Sequence, residues 1–198
     1  MNQIVLLSEL NEAQVDQAVA VCVESFYKQL KIISKDKRVL HAVFKAVLDY
    51  SQVYVFVQDG RSVGFLGLGT TGSHSIKPNR TDMQKHLGKI WGALVARFMS
   101  YGQPKAKNAD QAVIEFLAVD PNTRRQGIGG QLIQHMLGTL PYRDYFLETT
   151  LENPAVALYN KIGFQQMKKK MPLVLRLVAP IMGLGTPIYM WLKKEDLR

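Results

Sequence analysis

A chain of 198 residues, 47% hydrophobic and 21% charged, is long and apolar enough to bury a core, which excludes wholesale disorder and fits one domain over residues 1–198. Its one cysteine, Cys22, excludes an internal disulfide framework and any multi-cysteine zinc site, and suits a reducing compartment. The formal net charge of +9 points either to a solvated basic surface or to an anionic partner: nucleic acid, a membrane surface or a phosphate-bearing ligand.

The N-terminal "MNQIVLLSEL" has no basic region and soon turns polar. It does not read as a signal peptide, so a cytoplasmic location is expected. "IVLLSEL" predicts a short strand. Asn11 then caps a predicted helix in which Val15, Val19, Cys22, Val23 and Phe26 recur at helical spacing. Leu40, Val43, Phe44, Val47 and Leu48 repeat that pattern in a second helix. "QVYVFVQDGRSVGFLGLG" predicts a hairpin that turns at Asp59 and Gly60. "TDMQKHLGKIWGALVARFMSYG" reads as one helix, with Thr81 and Asp82 near its start and Gly102 at its end. "AVIEFLAV" is a near-continuous apolar run, as expected of a central strand covered on both faces.

"GIGGQLIQHMLGTL" follows as a helix, "YFLETT" as a strand, "NPAVALYNKI" as a helix, and the tail as two more strands. The tail's "MPLVLRLVAPIMGLGTPIYMWL" is apolar, but Arg176, Pro180, Gly183, Gly185 and Pro187 interrupt it, so no membrane span is expected. The run Lys168 to Lys170 reads as a solvated strand end. Strands alternating with helices after the hairpin predict a mixed α/β sheet.

The stretch "VDPNTRRQGIGGQL", Val119 to Leu132, lies between the central strand and the helix that follows it. The first amides of a helix lack internal acceptors and sit at the positive end of its dipole. Glycines let a large anion approach such amides closely, and Arg124 and Arg125 flank the turn. The ligand suggested is a diphosphate. A P-loop would need Gly-Lys-Ser/Thr, but Gln131 follows Gly130. A dinucleotide fingerprint starting at Gly127 would need glycine where Leu132 stands.

What remains, Arg124, Gly127 and Gly129 in R-x-x-G-x-G after "LAVDP", resembles the acetyl-CoA-binding motif of the GNAT superfamily of N-acetyltransferases. The resemblance runs through "FLETTLENPAVALYNKIGF", Phe146 to Phe164, and the hairpin also fits, so it covers most of 52–164 with the motifs in order. Within the superfamily the later motif looks most like the puromycin-type N-acetyltransferases. The long "PLVLRLVAPIMGLG" segment departs from that group. The fold implied is a mixed, mostly antiparallel sheet of about seven strands flanked by helices, with residues 165–198 supplying the last strands.

The resemblance implies acetyl-CoA as cosubstrate, held by the turn Arg124, Arg125, Gln126, Gly127, Ile128, Gly129, Gly130 and Gln131. It also implies that the backbone of Leu117, Ala118 and Val119 pairs with the pantetheine arm, one N–H polarising the thioester carbonyl. Asn153 would hydrogen-bond the pantetheine, cap the next helix, or both.

Acetyl transfer to an amine needs a neutral amine, donors for the oxyanion and a proton for the departing thiolate. Tyr159 is the candidate acid by resemblance; a phenol near ~10 stays protonated where a thiol near ~8.5 titrates. The alternative is an ordinary amphipathic-helix tyrosine. Glu115 interrupts an otherwise buried strand, where an unpaired carboxylate is costly. Strict alternation places it on one face with Val113, Leu117 and Val119. Either it relays the amine's proton through water or it is a salt-bridged structural residue. Glu148 and bulk water are rival bases.

No histidine pair has metal-ligand spacing, and no metal is expected. Trp91, Met99, Tyr27 and Phe26 either line an acceptor pocket or belong to the core. The reading is an N-acetyltransferase acting on a primary amine of a small molecule. A protein or peptide acceptor and a non-catalytic CoA-binding module are the alternatives. Specific nucleic-acid binding is not expected, for want of any recognition motif; a homodimer is compatible.

Overall fold

The structure, a computed structural model, describes residues 2–101, 106–167 and 185–197. Gly102, the run Lys168 to Lys170 and most of the 172–186 segment lie outside the described residues.

The elements follow in chain order: β1 (Asn2–Leu6), α1 (Glu12–Leu30), α2 (Lys37–Val47), β2 (Val53–Gln58), β3 (Arg61–Gly69), α3 (Arg80–Leu87), α4 (Lys89–Tyr101), β4 (Gln111–Val119), α5 (Ile128–Thr139), β5 (Asp144–Thr150), α6 (Ala155–Ile162), β6 (Gln165–Met167) and β7 (Pro187–Lys193). The strands form one seven-stranded sheet in the order β1-β2-β3-β4-β5-β7-β6. Its neighbours are antiparallel except β4 and β5, which run parallel. This is the mixed, mostly antiparallel sheet expected.

Local chemistry explains several of these boundaries. Asn11 and Gln14 form a reciprocal capping box that starts α1, and the Asp36 carboxylate caps α2. Asp59 and Gly60 both take positive φ, as a two-residue hairpin turn requires. The helix expected to run unbroken to Gly102 is instead two. It stops at Gly88, whose φ of 83° lies outside the helical region, and the chain restarts as α4. Asn79 caps α3 by accepting from Asp82 N–H at 2.8 Å.

Two apolar cores lie on opposite faces of the sheet. One holds Val19, Cys22, Phe44 and Val47 of α1 and α2 against Val55, Phe65 and Ala118, with Met83 and Val95 of α3 and α4 at its edge. The other holds Leu132, Ile133 and Met136 of α5 and Tyr159 of α6 against Leu66, Ile114, Leu147 and Met190.

Two irregularities of β4 lie near the centre of the sheet. The β3–β4 register shifts between Gly67 and Leu68, which pair with Phe116 and Ile114, so Glu115 is an extra residue in β4. The parallel β4–β5 pairing ends at Ile114 and Leu147. Beyond that pair the two strands diverge into a fork, and Glu115 is the first residue past its apex.

A Cβ on Gly92 would overlap the backbone of Met83 and Gln84 where α4 crosses α3. Backbone cannot swing aside as a flexible side chain can, so Gly92→Val should cost at least the ~1–3 kcal/mol typical of overpacking. A lowered thermal midpoint would read this, and an unchanged midpoint would show that the crossing is loose.

Candidate active site

The glycine turn stands at the open end of the fork. Gly127, with φ 79°, is the N-cap of α5, and Arg125 shares the left-handed region with φ 64°. The first helical bond of α5 is Gln131 N–H to Gly127 O at 3.0 Å. The amides of Ile128, Gly129 and Gly130 precede that bond and so are the orphan donors of a helix start. Gly129 is buried; a Cβ there would meet Leu158 Cδ2 at 3.3 Å, Leu117 Cδ2 at 3.7 Å and Val119 Cγ2 at 3.8 Å. Its bareness lets α5, α6 and β4 approach one another at the fork. Arg124, Arg125, Gln126 and Gln131 are exposed. Arg124 Nε donates to Val119 O at 3.3 Å, and Gln126 Oε1 accepts from Gln58 Nε2 at 3.4 Å.

Leu117, Ala118 and Val119 pair with Leu66, Phe65 and Gly64 of β3 along one edge. Their other edge faces the fork, where β5 has withdrawn. Asn153 Oδ1 accepts from Ala155 N–H at 2.9 Å, and Asn153 Nδ2 donates to Thr149 Oγ1 at 2.9 Å. The side chain therefore caps α6 and ties it to the end of β5. Tyr159 is 5% exposed, and its ring meets Phe164 edge-on with centroids 5.9 Å apart. Burial pushes its phenol up to about 12.

Glu115 has a buried side chain, and both of its carboxylate oxygens have partners. Its side chain is 3% exposed. Oε2 accepts from Ser75 N–H at 2.8 Å and from Ser75 Oγ at 2.5 Å. Oε1 lies 2.5 Å from His74 Nδ1. This corrects the expectation from strict alternation. Because Glu115 is the bulge residue, it does not share a face with Leu117 and Val119, which pack with α5 and α6. It points instead to the α1 side, beside Phe116 and into the space left over Gly69.

Sequence reasoning missed His74 and Ser75, in the loop between β3 and α3. That loop is pinned by Asp49 N–H to Ser75 O at 2.9 Å, Lys77 N–H to Val47 O at 2.7 Å and a bridge between Leu48 and Ile76. Ser73 Oγ donates to Asp49 Oδ2 at 3.2 Å, and Lys77 pairs with the same oxygen at 2.5 Å. A signal was present in "GFLGLG". Gly67 and Gly69 lie two apart on one face of β3, and a Cβ on Gly67 would meet Ser75 Oγ at 2.6 Å. Missing side chains on a strand mark a place where something else is packed.

Of the other candidates, Glu148 is exposed on β5, opposite Tyr189 of β7. Phe26 stacks edge-on against Phe116 at 5.5 Å, and Tyr27 and Met99 pack on the same core. Trp91 is 44% exposed and its Nε1 donates to Ile33 O at 2.9 Å. Cys22 is buried, which pushes its thiol up to about 12. Among the described residues no cluster of three or more His, Cys, Asp or Glu could hold a metal ion, and no helix is long and apolar enough to cross a membrane.

A glycine-opened helix thus starts at a fork beside β4 and β5, the one parallel strand pair among the described residues. The sequence model of the acetyltransferase (GNAT) domain matches residues 49–166, well over half of the chain. The chain belongs to this family of N-acetyltransferases. It is 38% identical over 61 residues, 29% of this chain and 41% of the other, to the Escherichia coli K12 [ribosomal protein bS18]-alanine N-acetyltransferase. The chain spans less than half the length of the curated relatives it matches.

Among solved structures, the histone acetyltransferase HPA2 and related acetyltransferase of Corynebacterium glutamicum superposes with a TM-score of 0.62 at 18% identity, over 96% of this chain and 94% of that one. The N-acetylglutamate synthase of Neisseria gonorrhoeae, complexed with coenzyme A and N-acetyl-glutamate, gives a TM-score of 0.52 at 14% identity, over 98% of this chain and 35% of that one.

Gly129→Val should drive a branched side chain against Leu158, Leu117 and Val119 and narrow the fork. Calorimetry should then show acetyl-CoA affinity at least tenfold weaker, with the circular dichroism of the sheet and helices retained. Separately, burial raises the phenols of Tyr145 and Tyr159 to about 12, above the ~10 of an unfolded chain. The folded state then holds protons that the unfolded state releases. Stability should be constant below pH ~10 on this account and fall from there towards ~12. Tyr159→Phe should make the fall in thermal midpoint shallower; an identical slope in the variant would refute the burial argument.

Proposed function

We propose that the chain is an acetyl-CoA-dependent N-acetyltransferase that moves the acetyl group to a primary amine of a small molecule, by direct attack within a ternary complex. One observation carries the reading: a glycine-opened helix start and a buried, fully hydrogen-bonded carboxylate lie at the two ends of one fork in the sheet. The helix start suits a diphosphate. The edge of Leu117 to Val119 that no described strand pairs with suits the amide-bearing pantetheine arm, which would add to β4 as a short strand. A β4 amide would then donate to the thioester carbonyl as its oxygen becomes anionic.

Direct attack is favoured over an acyl-cysteine intermediate. The single cysteine is buried and its thiol is pushed away from ionisation, whereas the thiolate is the nucleophilic form. Tyr159 would donate a hydrogen bond to the departing sulfur. Glu115 would be the end of the path that draws a proton from the amine. Its carboxylate is too enclosed to touch the amine itself.

The small-molecule acceptor rests on the resemblance of "FLETTLENPAVALYNKIGF" to puromycin-type enzymes. A second reading, a peptide N-terminus as acceptor, is favoured by the bS18-alanine acetyltransferase relative. Release of free thiol from acetyl-CoA should be measured against an aminoglycoside, a puromycin-like aminonucleoside, glutamate and an alanine-initiated peptide, with mass spectrometry of the acetylated product. Fastest turnover of a small amine is the expected result. Preference for the peptide replaces the acceptor class, and acetyl-CoA binding without any turnover would leave a CoA-binding module.

A further inference from the structure

We propose that His74, not Glu115, is the base that meets the acceptor amine, and that Glu115 and Ser75 are the residues that orient it. The inference rests on the acetyltransferase reading and adds a residue to its chemistry.

The hydrogen bonds assign the roles. Ser75 donates twice to Oε2 of Glu115, from its backbone and from its hydroxyl, so this oxygen is an acceptor with no proton of its own. An ionised carboxylate only accepts. With both carboxylate oxygens accepting, Oε1 takes its bond from Nδ1–H of His74 across their 2.5 Å contact. That places the imidazole proton on Nδ1 and the lone pair on Nε2. Among the described residues, none hydrogen-bonds Nε2 of His74.

Exposure separates the two groups in the same sense. The His74 side chain is 19% exposed and that of Glu115 is 3% exposed. The histidine is therefore the member of the pair that can reach a ligand, and the carboxylate lies behind it. A buried carboxylate behind an imidazole fixes its tautomer and stabilises the imidazolium formed when Nε2 takes a proton. The loop that carries His74 is pinned at Asp49, Val47 and Leu48, so the ring is held in place before any ligand arrives.

The step balances as follows. An ammonium acceptor gives one proton to Nε2 of His74, which passes it to solvent. The neutral amine attacks the thioester carbonyl, the C–N bond forms and the C–S bond breaks. The second amine proton ends on the CoA sulfur. The products are the acetamide, CoA thiol and one released proton.

His74→Gln tests this directly. Glutamine can still donate a side-chain N–H to Glu115 but has no basic nitrogen, so packing and the buried hydrogen bond have a substitute. With whichever amine of the panel is acetylated fastest, kcat/KM should fall by roughly 10²–10⁴, while acetyl-CoA affinity by calorimetry stays within about twofold. In His74→Ala, added imidazole should restore acetylated amine, scored by mass spectrometry so that hydrolysis of acetyl-imidazole is not counted. In both variants the deficit in kcat/KM should shrink as pH rises towards ~10, where an alkyl amine arrives neutral without help from a base.

Near wild-type kcat/KM in His74→Gln would overturn the proposal, as would activity lost without imidazole rescue while acetyl-CoA still binds. A readout independent of turnover is the ¹⁵N spectrum of the His74 ring in the free protein. It should report the Nδ1–H tautomer and change in Glu115→Gln. An Nε2–H tautomer in the wild type would sink the pair even if no amine in the panel were acetylated, and that second result would count against the proposed function instead.

Discussion

The Glu115 carboxylate at the centre of the sheet is the constraint from which the surrounding structure can be read. An ionised group removed from water costs several kcal/mol unless its oxygens are hydrogen-bonded, and here each oxygen is. The space for its partners comes from Gly67 and Gly69, its direction comes from the bulge in β4, and its donors come from a loop held by Asp49, Val47 and Leu48. None of these would be needed by an apolar residue at 115. Their convergence on one side chain is the reason to read the carboxylate as placed for chemistry, because stability alone is often served as well or better by an apolar replacement of the same volume.

The fork follows from the same point in the sheet. Parallel pairing stops at Ile114 and Leu147, immediately before the bulge. Past it, Asn153 ties the start of α6 to Thr149 near the end of β5. α5 is held close by the bare Gly129. The two faces of the sheet therefore carry different parts of the proposed reaction. The α5–α6 side offers helix-start amides and the buried Tyr159, while the α1 side offers Glu115 with His74. A thioester lying in the fork would be reached from both.

Sequence patterns made the scaffold legible because most of it obeys local rules. The capping residues Asn11 and Asp36, the Asp59-Gly60 turn, the apolar run of β4 and the Asn153-Pro154 start of α6 each announce themselves within a few residues. The break at Gly88 was lost because α3 and α4 share one continuous helical pattern, and only the packing of Gly92 on Met83 shows why the chain must turn. The orientation of Glu115 was lost for another reason. A bulge reverses the inward and outward alternation, and nothing in "AVIEFLAV" marks which residue is extra. His74 and Ser75 lie about forty positions from Glu115 in sequence, so their pairing is a product of tertiary structure. The glycines of "GFLGLG" held the one local hint, which is legible only once β3 and β4 are known to be neighbours.

The environment of Tyr159 bears on what it can do in the proposed reaction. A phenol pushed up to about 12 is a much weaker acid than a thiol near ~8.5. Outright transfer of its proton to a free thiolate would be uphill by roughly 5 kcal/mol. The same burial that weakens it as an acid keeps it protonated near neutral pH, and so able to donate a hydrogen bond. In a low-dielectric pocket such a bond to a developing thiolate is worth more than it would be in water. Its value rises as negative charge accumulates on sulfur, which is the selective stabilisation of a transition state that accelerates a reaction. The proton that finally neutralises the thiolate can then come from the amine's own nitrogen, whose acidity rises steeply once the C–N bond has formed. Tyr159 would hold the sulfur's charge while that proton arrives.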